Sequence, residues 1–158
     1  MTAATAFAID LPDERATSAL AADLAACARR GDVIGLRGPL GSGKTTFARA
    51  FLRARLGADE VPSPTFTLVE TYQAATGPAV WHFDLYRIEA AEEAYELGIE
   101  DAFAEGIALI EWPERLGALL PREHLDIALA AGAREESRVA TLTPSPSWAG
   151  RLAGLTHG

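Results

Sequence analysis

The chain has 158 residues, room for a single domain running from end to end, and its 49% apolar and 23% charged residues are the composition of a globular protein with a full core. Its formal charge of −8, from 22 acidic against 14 basic residues, argues against tight direct binding of nucleic acid, which draws on excess positive charge to displace counterions. No apolar stretch approaches the roughly 20 residues of a membrane helix, Met1 to Asp10 lacks the basic start and apolar run of a signal peptide, and the sole cysteine, Cys27, excludes an internal disulfide, so a reducing cytoplasm is the expected location.

Ala3 to Leu11 is apolar in places and stops at Pro12, as an edge strand would. Over Glu14 to Arg30, the residues Ala16, Leu20, Leu24, Cys27 and Ala28 recur at helical spacing, with Gly31-Asp32 closing the helix. Val33-Ile34-Gly35-Leu36 reads as a buried strand running into a glycine-rich loop. Thr45 to Leu56 predicts a second helix, with Phe47, Phe51 and Leu52 inward and Gly57 as its stop. Beyond Pro62 and Pro64, Phe66 to Tyr72 alternates like a strand, and the turn Gln73 to Pro78 joins it to Val80–Leu85 as a hairpin. Glu89 to Leu97 predicts a helix whose acidic run is a solvated face. Ile107 to Ile110 has the continuous apolar pattern of a strand buried on both sides. Leu125–Ala130 and Arg138–Leu142 flank a polar turn as a second hairpin, and Ser147 to Leu155 closes the chain as a helix. Strands alternating with helices give an α/β fold in three layers, its central sheet largely parallel and supplemented by antiparallel hairpin strands.

Chemistry is concentrated between the second strand and the second helix. Gly38-Pro39-Leu40-Gly41-Ser42-Gly43-Lys44-Thr45 satisfies G-x-x-x-x-G-K-[ST] in the strand–loop–helix context that a phosphate-binding loop requires. Glycines let backbone N–H groups turn toward phosphates, and the following helix adds the positive end of its dipole. Lys44 is placed to reach the β- and γ-phosphates and Thr45 to offer a hydroxyl to Mg²⁺. Thirteen of the fourteen bases are Arg, and the single Lys is Lys44, at the one place where a compact ammonium fits and a guanidinium fork does not. Asp84 and Glu111 each end a predicted buried strand, where ligands of such sheets gather. Either carboxylate can hold Mg²⁺ or orient an attacking water, the favoured reading; capping a following helix is the structural alternative. The Asn-Lys-x-Asp segment that reads guanine in GTPases is impossible with its lysine already used, which favours adenine. His82, His124 and His157 have no metal-ligand spacing, and His82, between Trp81 and Phe83 on a strand, reads as a local hydrogen-bonding residue.

Four strings in order, Gly38–Thr46 (GPLGSGKTT), Ser63–Glu70 (SPTFTLVE), His82–Arg87 (HFDLYR) and Ile110–Pro113 (IEWP), resemble the TsaE (YjeE) family, and the likeness runs from Leu11-Pro12 to the turn at Arg134. The resemblance implies a P-loop fold and a Mg²⁺-dependent ATPase of low intrinsic activity. It would work with TsaB and TsaD proteins in making N6-threonylcarbamoyladenosine at position 37 of tRNA, meeting the tRNA only through that complex. It implies that Gly38, Pro39, Leu40, Gly41, Ser42, Gly43, Lys44, Thr45 and Thr46 bind nucleotide, that Thr45, Glu111 and Asp84 serve the metal, and that Thr65 senses the γ-phosphate. Trp112 would lie at the nucleotide, and Asp13 to Thr17 with Arg134 would hold the adenosine. A small-molecule or nucleoside kinase is the alternative, with Glu114 to Glu123 as a lid carrying only Arg115 and Arg122. A nucleotide sensor without hydrolysis is disfavoured by the two acids.

Overall fold

A computed structural model describes residues 6–57 and 68–152. Within them run β1 (Phe7–Leu11), α1 (Glu14–Cys27), β2 (Val33–Arg37), α2 (Lys44–Leu56), β3 (Val69–Tyr72), β4 (Val80–Asp84), α3 (Glu93–Glu96) and α4 (Ile99–Glu105). There follow β5 (Ile107–Glu111), a 3₁₀ segment (Pro113–Leu119), β6 (Leu125–Ala131), β7 (Arg138–Pro144) and α5 (Pro146–Leu152). The strands form one sheet in the order β1-β7-β6-β2-β5-β4-β3. Its centre, β6-β2-β5-β4, is parallel, and the two hairpins add antiparallel edges.

Period-2 alternation sorts each strand's side chains between two cores. Ile34 and Leu36 of β2 and Leu109 of β5 pack under Leu20 and Leu24 of α1 and Phe47, Phe51 and Leu52 of α2. Val33, Phe83, Ala108 and Ile110 point the other way, against Ala94, Ile99, Ala102 and Leu116. Both faces of β5 are therefore covered, and its five residues are all buried, which is why it reads as an unbroken apolar run.

Two predicted helices are shorter than expected. The first helix ends at Cys27, not Arg30: Ala28 is already extended, and Asp32 takes the Arg29 N–H. Its last carbonyls accept instead from guanidinium groups brought in from elsewhere, Arg55 at Ala25 and Ala28 and Arg151 at Cys27. The helix predicted over Glu89 to Leu97 shrinks to Glu93–Glu96, because the Glu93 carboxylate caps the Glu89 and Ala90 N–H groups and Gly98, at φ +83°, breaks the chain. The separate helix α4 beyond that glycine is absent from the sequence reading. The Glu114 to Glu123 stretch begins within a 3₁₀ segment in which Pro113 and Leu116 are buried.

Register explains why chemistry collects at one edge. Leu36 of β2 lies opposite Glu111 of β5, and Glu111 lies opposite Asp84 of β4. Three parallel strands thus end side by side, and the loop from β2 to α2 passes over their carboxyl ends.

Candidate functional site

The loop between β2 and α2 places glycines where the backbone takes positive φ and, at Gly38, where a side chain would also clash. Gly38, Gly41 and Gly43 have φ of +142°, +82° and +101°, and a Cβ on Gly38 would stand 2.5 Å from the Leu129 carbonyl and 2.6 Å from Ser42 Oγ. Gly43 caps α2 without a side chain, and the first helical turn holds no acid. The helix therefore presents uncapped N–H groups and its positive end to the loop's interior. Lys44 is only 4% exposed. Its Nζ donates to the carbonyls of Gly38 (2.6 Å) and Pro39 (3.0 Å) and stands 4.3 Å from the centre of the Trp112 ring. Burial lowers the Lys44 pKa, while the Glu111, Asp84 and Glu114 carboxylates push it back up.

Glu111 joins the loop to the sheet. Its Oε1 accepts from the Thr45 hydroxyl at 3.1 Å, and its Oε2 pairs with His82 Nε2 at 2.7 Å. Asp84, half-buried beside it, accepts from the Tyr86 N–H at 3.2 Å. Neither carboxylate caps a helix: Trp112 and Glu92 begin the segments that follow, without side-chain cap bonds. Trp112 is the one non-glycine with positive φ (+63°) among the described residues. Its N–H donates to the Leu36 carbonyl, and its ring leans on Tyr86 at 4.9 Å. Such conformations persist only where the surroundings impose them and cluster at functional sites.

These groups border a cleft of about 300 Å³. Of the residues anticipated, Leu40, Gly41, Gly43, Lys44, Thr45, Thr46, Asp84, Glu111 and Trp112 line it, while Gly38 and Pro39 hold Lys44 from below and Ser42 is buried in the loop. Thr65 lies outside the described residues. Arg134 does not reach the cleft: exposed at the β6–β7 turn, it faces Glu136 at 3.6 Å. Asp13 caps α1 through the Ala16 N–H. Glu14 and Thr17 border a smaller hollow of about 130 Å³ that shares Gly43, Thr46 and Arg138 with the main cleft.

Sequence reasoning missed three residues. Arg138, from β7, donates to the loop carbonyls of Ser42 (3.1 Å) and Gly41 (3.2 Å), a partnership spanning 96 residues of chain that no local pattern announces. Tyr86 lines the cleft beside Trp112. His82 touches Glu111, and here a signal existed: residues 82 and 84 alternate onto the same sheet face.

The arrangement fits a phosphate chain with a hard cation. A glycine cradle, a buried ammonium and a helix N-terminus suit phosphate oxygens. One hydroxyl and two carboxylates suit Mg²⁺, which binds through one or two carboxylates plus phosphate oxygens rather than an all-protein cage. No cluster of three or more His, Cys, Asp or Glu placed to hold a metal ion occurs among the described residues.

Burial raises the Asp84 carboxyl pKa above its ordinary value; Glu111 adds to the rise, and the Tyr86 N–H, His82 and Lys44 oppose it. A carboxyl raised on folding weakens the fold at pH values above its folded pKa, where it must ionise, and the penalty fades as pH falls through that value. Asp84→Asn is therefore expected to raise the melting temperature of the nucleotide-free protein at pH 7, with a smaller gain at pH 4. A lowered melting temperature at pH 7 would show the carboxylate to be stabilising instead.

The family described as threonylcarbamoyl adenosine biosynthesis protein TsaE matches residues 11–140. The tRNA threonylcarbamoyladenosine biosynthesis protein TsaE of Rickettsia conorii is 39% identical over 122 residues, 77% of this chain and 69% of that one. The protein of the same description from Bacillus subtilis is 37% identical over 129 residues, 81% and 78% of the two chains. The crystal structure of Bacillus subtilis YdiB superposes with a TM-score of 0.76 at 28% identity, covering 99% of this chain and 97% of that one.

Proposed function

The chain belongs to the TsaE family of tRNA threonylcarbamoyladenosine biosynthesis, and from that premise we propose that it is a Mg²⁺-dependent ATPase that turns over slowly alone and works within an assembly. The observation that carries this reading is the convergence of Lys44, Thr45, Asp84 and Glu111, from α2 and two strand ends, on one cleft beneath a glycine loop. Thr45 and Glu111 would hold Mg²⁺, with Asp84 beside them; a bound Mg²⁺ would draw negative charge from the β- and γ-phosphate oxygens. Lys44 exchanges its two loop carbonyls for phosphate oxygens and offsets their charge. Asp84 accepts a hydrogen bond from the attacking water and orients it. Trp112 and Tyr86 wall the cleft and limit entry of bulk water. The hollow by Glu14, Thr17 and Arg138 is the nearest recess for the nucleoside. Thr65 is assigned the γ-phosphate-sensing role on resemblance alone.

Among the described residues, no arginine that lines the cleft supplies a free finger for the γ-phosphate. Arg138 is engaged with loop carbonyls, and exposed Arg87 does not line the cleft. An arginine finger is worth about 10³–10⁵ in turnover, so the isolated chain is expected to be slow until a partner supplies or orders the missing group. TsaB and TsaD proteins are the partners proposed. The −8 charge suits contact with tRNA through them rather than directly, and no described helix is long and apolar enough to cross a membrane, in keeping with a cytoplasmic role. Phosphate release should be measured without any phosphoryl acceptor, with and without TsaB and TsaD, alongside threonylcarbamoyladenosine formation on tRNA. Stimulated release and modification that stops when this chain is left out are expected. Phosphate transfer to an added acceptor, or modification sustained without the chain, would overturn the reading in favour of a kinase or an unrelated role.

A further inference from the structure

Glu111 is buried at 3% exposure, yet it is the carboxylate that couples the loop helix to the sheet. One oxygen is held by Thr45, next to the loop lysine, and the other by His82, which has no solvent exposure. His82 stands on β4, between β3 and β5, in register with Leu109 and Glu70, so its ring position is set by the sheet and not by the loop. Its second nitrogen, Nδ1, is buried without a hydrogen-bond partner. An unpartnered buried polar atom weakens a fold, and an apolar side chain would pack there at less cost. An ionised Glu111 carboxylate only accepts, so the 2.7 Å contact calls for the neutral tautomer that carries its proton on Nε2.

We propose that His82 is a positioning residue, whose Nε2–H fixes the Glu111 carboxylate where it meets the Thr45 hydroxyl, so that the two present a preorganised oxygen pair to the divalent cation. The proposal rests on the Mg²⁺–nucleotide reading of the cleft and deepens it. A carboxylate has about four acceptor sites, and the two hydrogen bonds leave others for the cation. Freed from His82, Glu111 could rotate about its side-chain bonds and would have to be reordered on each binding event. Hydrogen-bond partners of metal ligands typically change metal affinity or activity about 10–100-fold when removed.

The discriminating pair is His82→Gln, which keeps an N–H donor near the Nε2 position, and His82→Met, which has the same length and no donor. Mn²⁺ affinity is read by electron paramagnetic resonance in the presence of a non-hydrolysable ATP analogue, together with analogue affinity in the absence of metal. The Met variant is expected to bind Mn²⁺ about 10–100-fold more weakly with metal-free analogue affinity unchanged, and the Gln variant to recover most of the loss. Equal loss in both variants, or unchanged Mn²⁺ affinity in Met, overturns the proposal. Should the Met variant fail to fold, ¹⁵N NMR of His82, in protein with His124 and His157 replaced, decides. An Nε2–H tautomer whose signal moves in Glu111→Gln and on adding Mn²⁺-free Mg²⁺–analogue supports it; an Nδ1–H tautomer or an insensitive signal overturns it. Phosphate release by the unaltered chain tests the ATPase reading separately: metal–analogue binding without phosphate release removes the hydrolysis and leaves the histidine comparison intact. Absence of any metal–analogue binding by the unaltered chain overturns both.

Discussion

Lys44→Ala is expected to lower ATP turnover by about 10²–10³-fold and to weaken ATP binding, with little loss of stability. The magnitude is that of removing one preorganised charge-stabilising donor from a water-excluded site. The stability expectation follows from what holds the side chain in the free protein. Its ammonium is buried against two loop carbonyls and the face of the Trp112 ring, and burial lowers its pKa. Desolvation thus offsets much of what those contacts contribute, and truncation removes both together. No second lysine exists to substitute for it, and Arg138, already bonded to the Ser42 and Gly41 carbonyls, is not free to do so. Calorimetric titration with ATP and a thermal melt check the two halves of the expectation. Unchanged ATP affinity would remove the loop from the nucleotide site, whatever the melt shows.

Glu111→Ala is expected to separate chemistry from binding. Turnover should fall by at least about 100-fold, the upper figure for losing a metal ligand's own supporting partner, while nucleotide affinity without Mg²⁺ stays close to that of the parent. A selective loss of turnover marks an interaction made in the transition state rather than the ground state. This variant also carries a structural cost, because it leaves the fully buried His82 ring without its one hydrogen bond. The Thr45 hydroxyl and His82 Nε2 both lose their partner, and His82 is already unpartnered at Nδ1. An unpaired buried polar group costs about 1–3 kcal/mol, so a fall in melting temperature should accompany the loss of turnover. Glu111→Gln, which retains an acceptor and adds a donor, separates the two effects: it should melt closer to the parent and still turn over poorly. A Glu111→Ala protein that hydrolyses ATP normally but melts early would reduce Glu111 to a structural brace between α2 and β4.

Much of this molecule was legible one segment at a time, because the requirements concerned are local. Gly38, Gly41 and Gly43 announce backbone that only glycine adopts freely, and Lys44-Thr45 announces what that backbone encloses. The unbroken apolar run Ile107 to Ile110 already implied a strand covered on both faces, and β5 is one. Asp84 and Glu111 could be placed at strand ends, where ligands of such sheets gather, and the resemblance gave both to one metal; that they stand side by side required β2, β5 and β4 to be adjacent and parallel, with Leu36, Glu111 and Asp84 in register. Boundaries failed where a distant group intervened, as when Arg55 and Arg151 took over the last carbonyls of α1. Arg138 was invisible for the same reason, since its hydrogen bonds to the loop span 96 residues of chain. The left-handed backbone of Trp112 was equally hidden, because tryptophan has no intrinsic preference for it and the surrounding structure must impose it. The sequence by itself thus determined the phosphate loop, the alternation of strands and helices and the family resemblance, all properties of neighbouring residues. The tertiary structure decided which side chains meet Glu111, how Trp112 sits over Lys44, and that Arg138 lines the cleft while Arg134 stands exposed at the β6–β7 turn, because those outcomes depend on strand order and register, which local sequence does not encode.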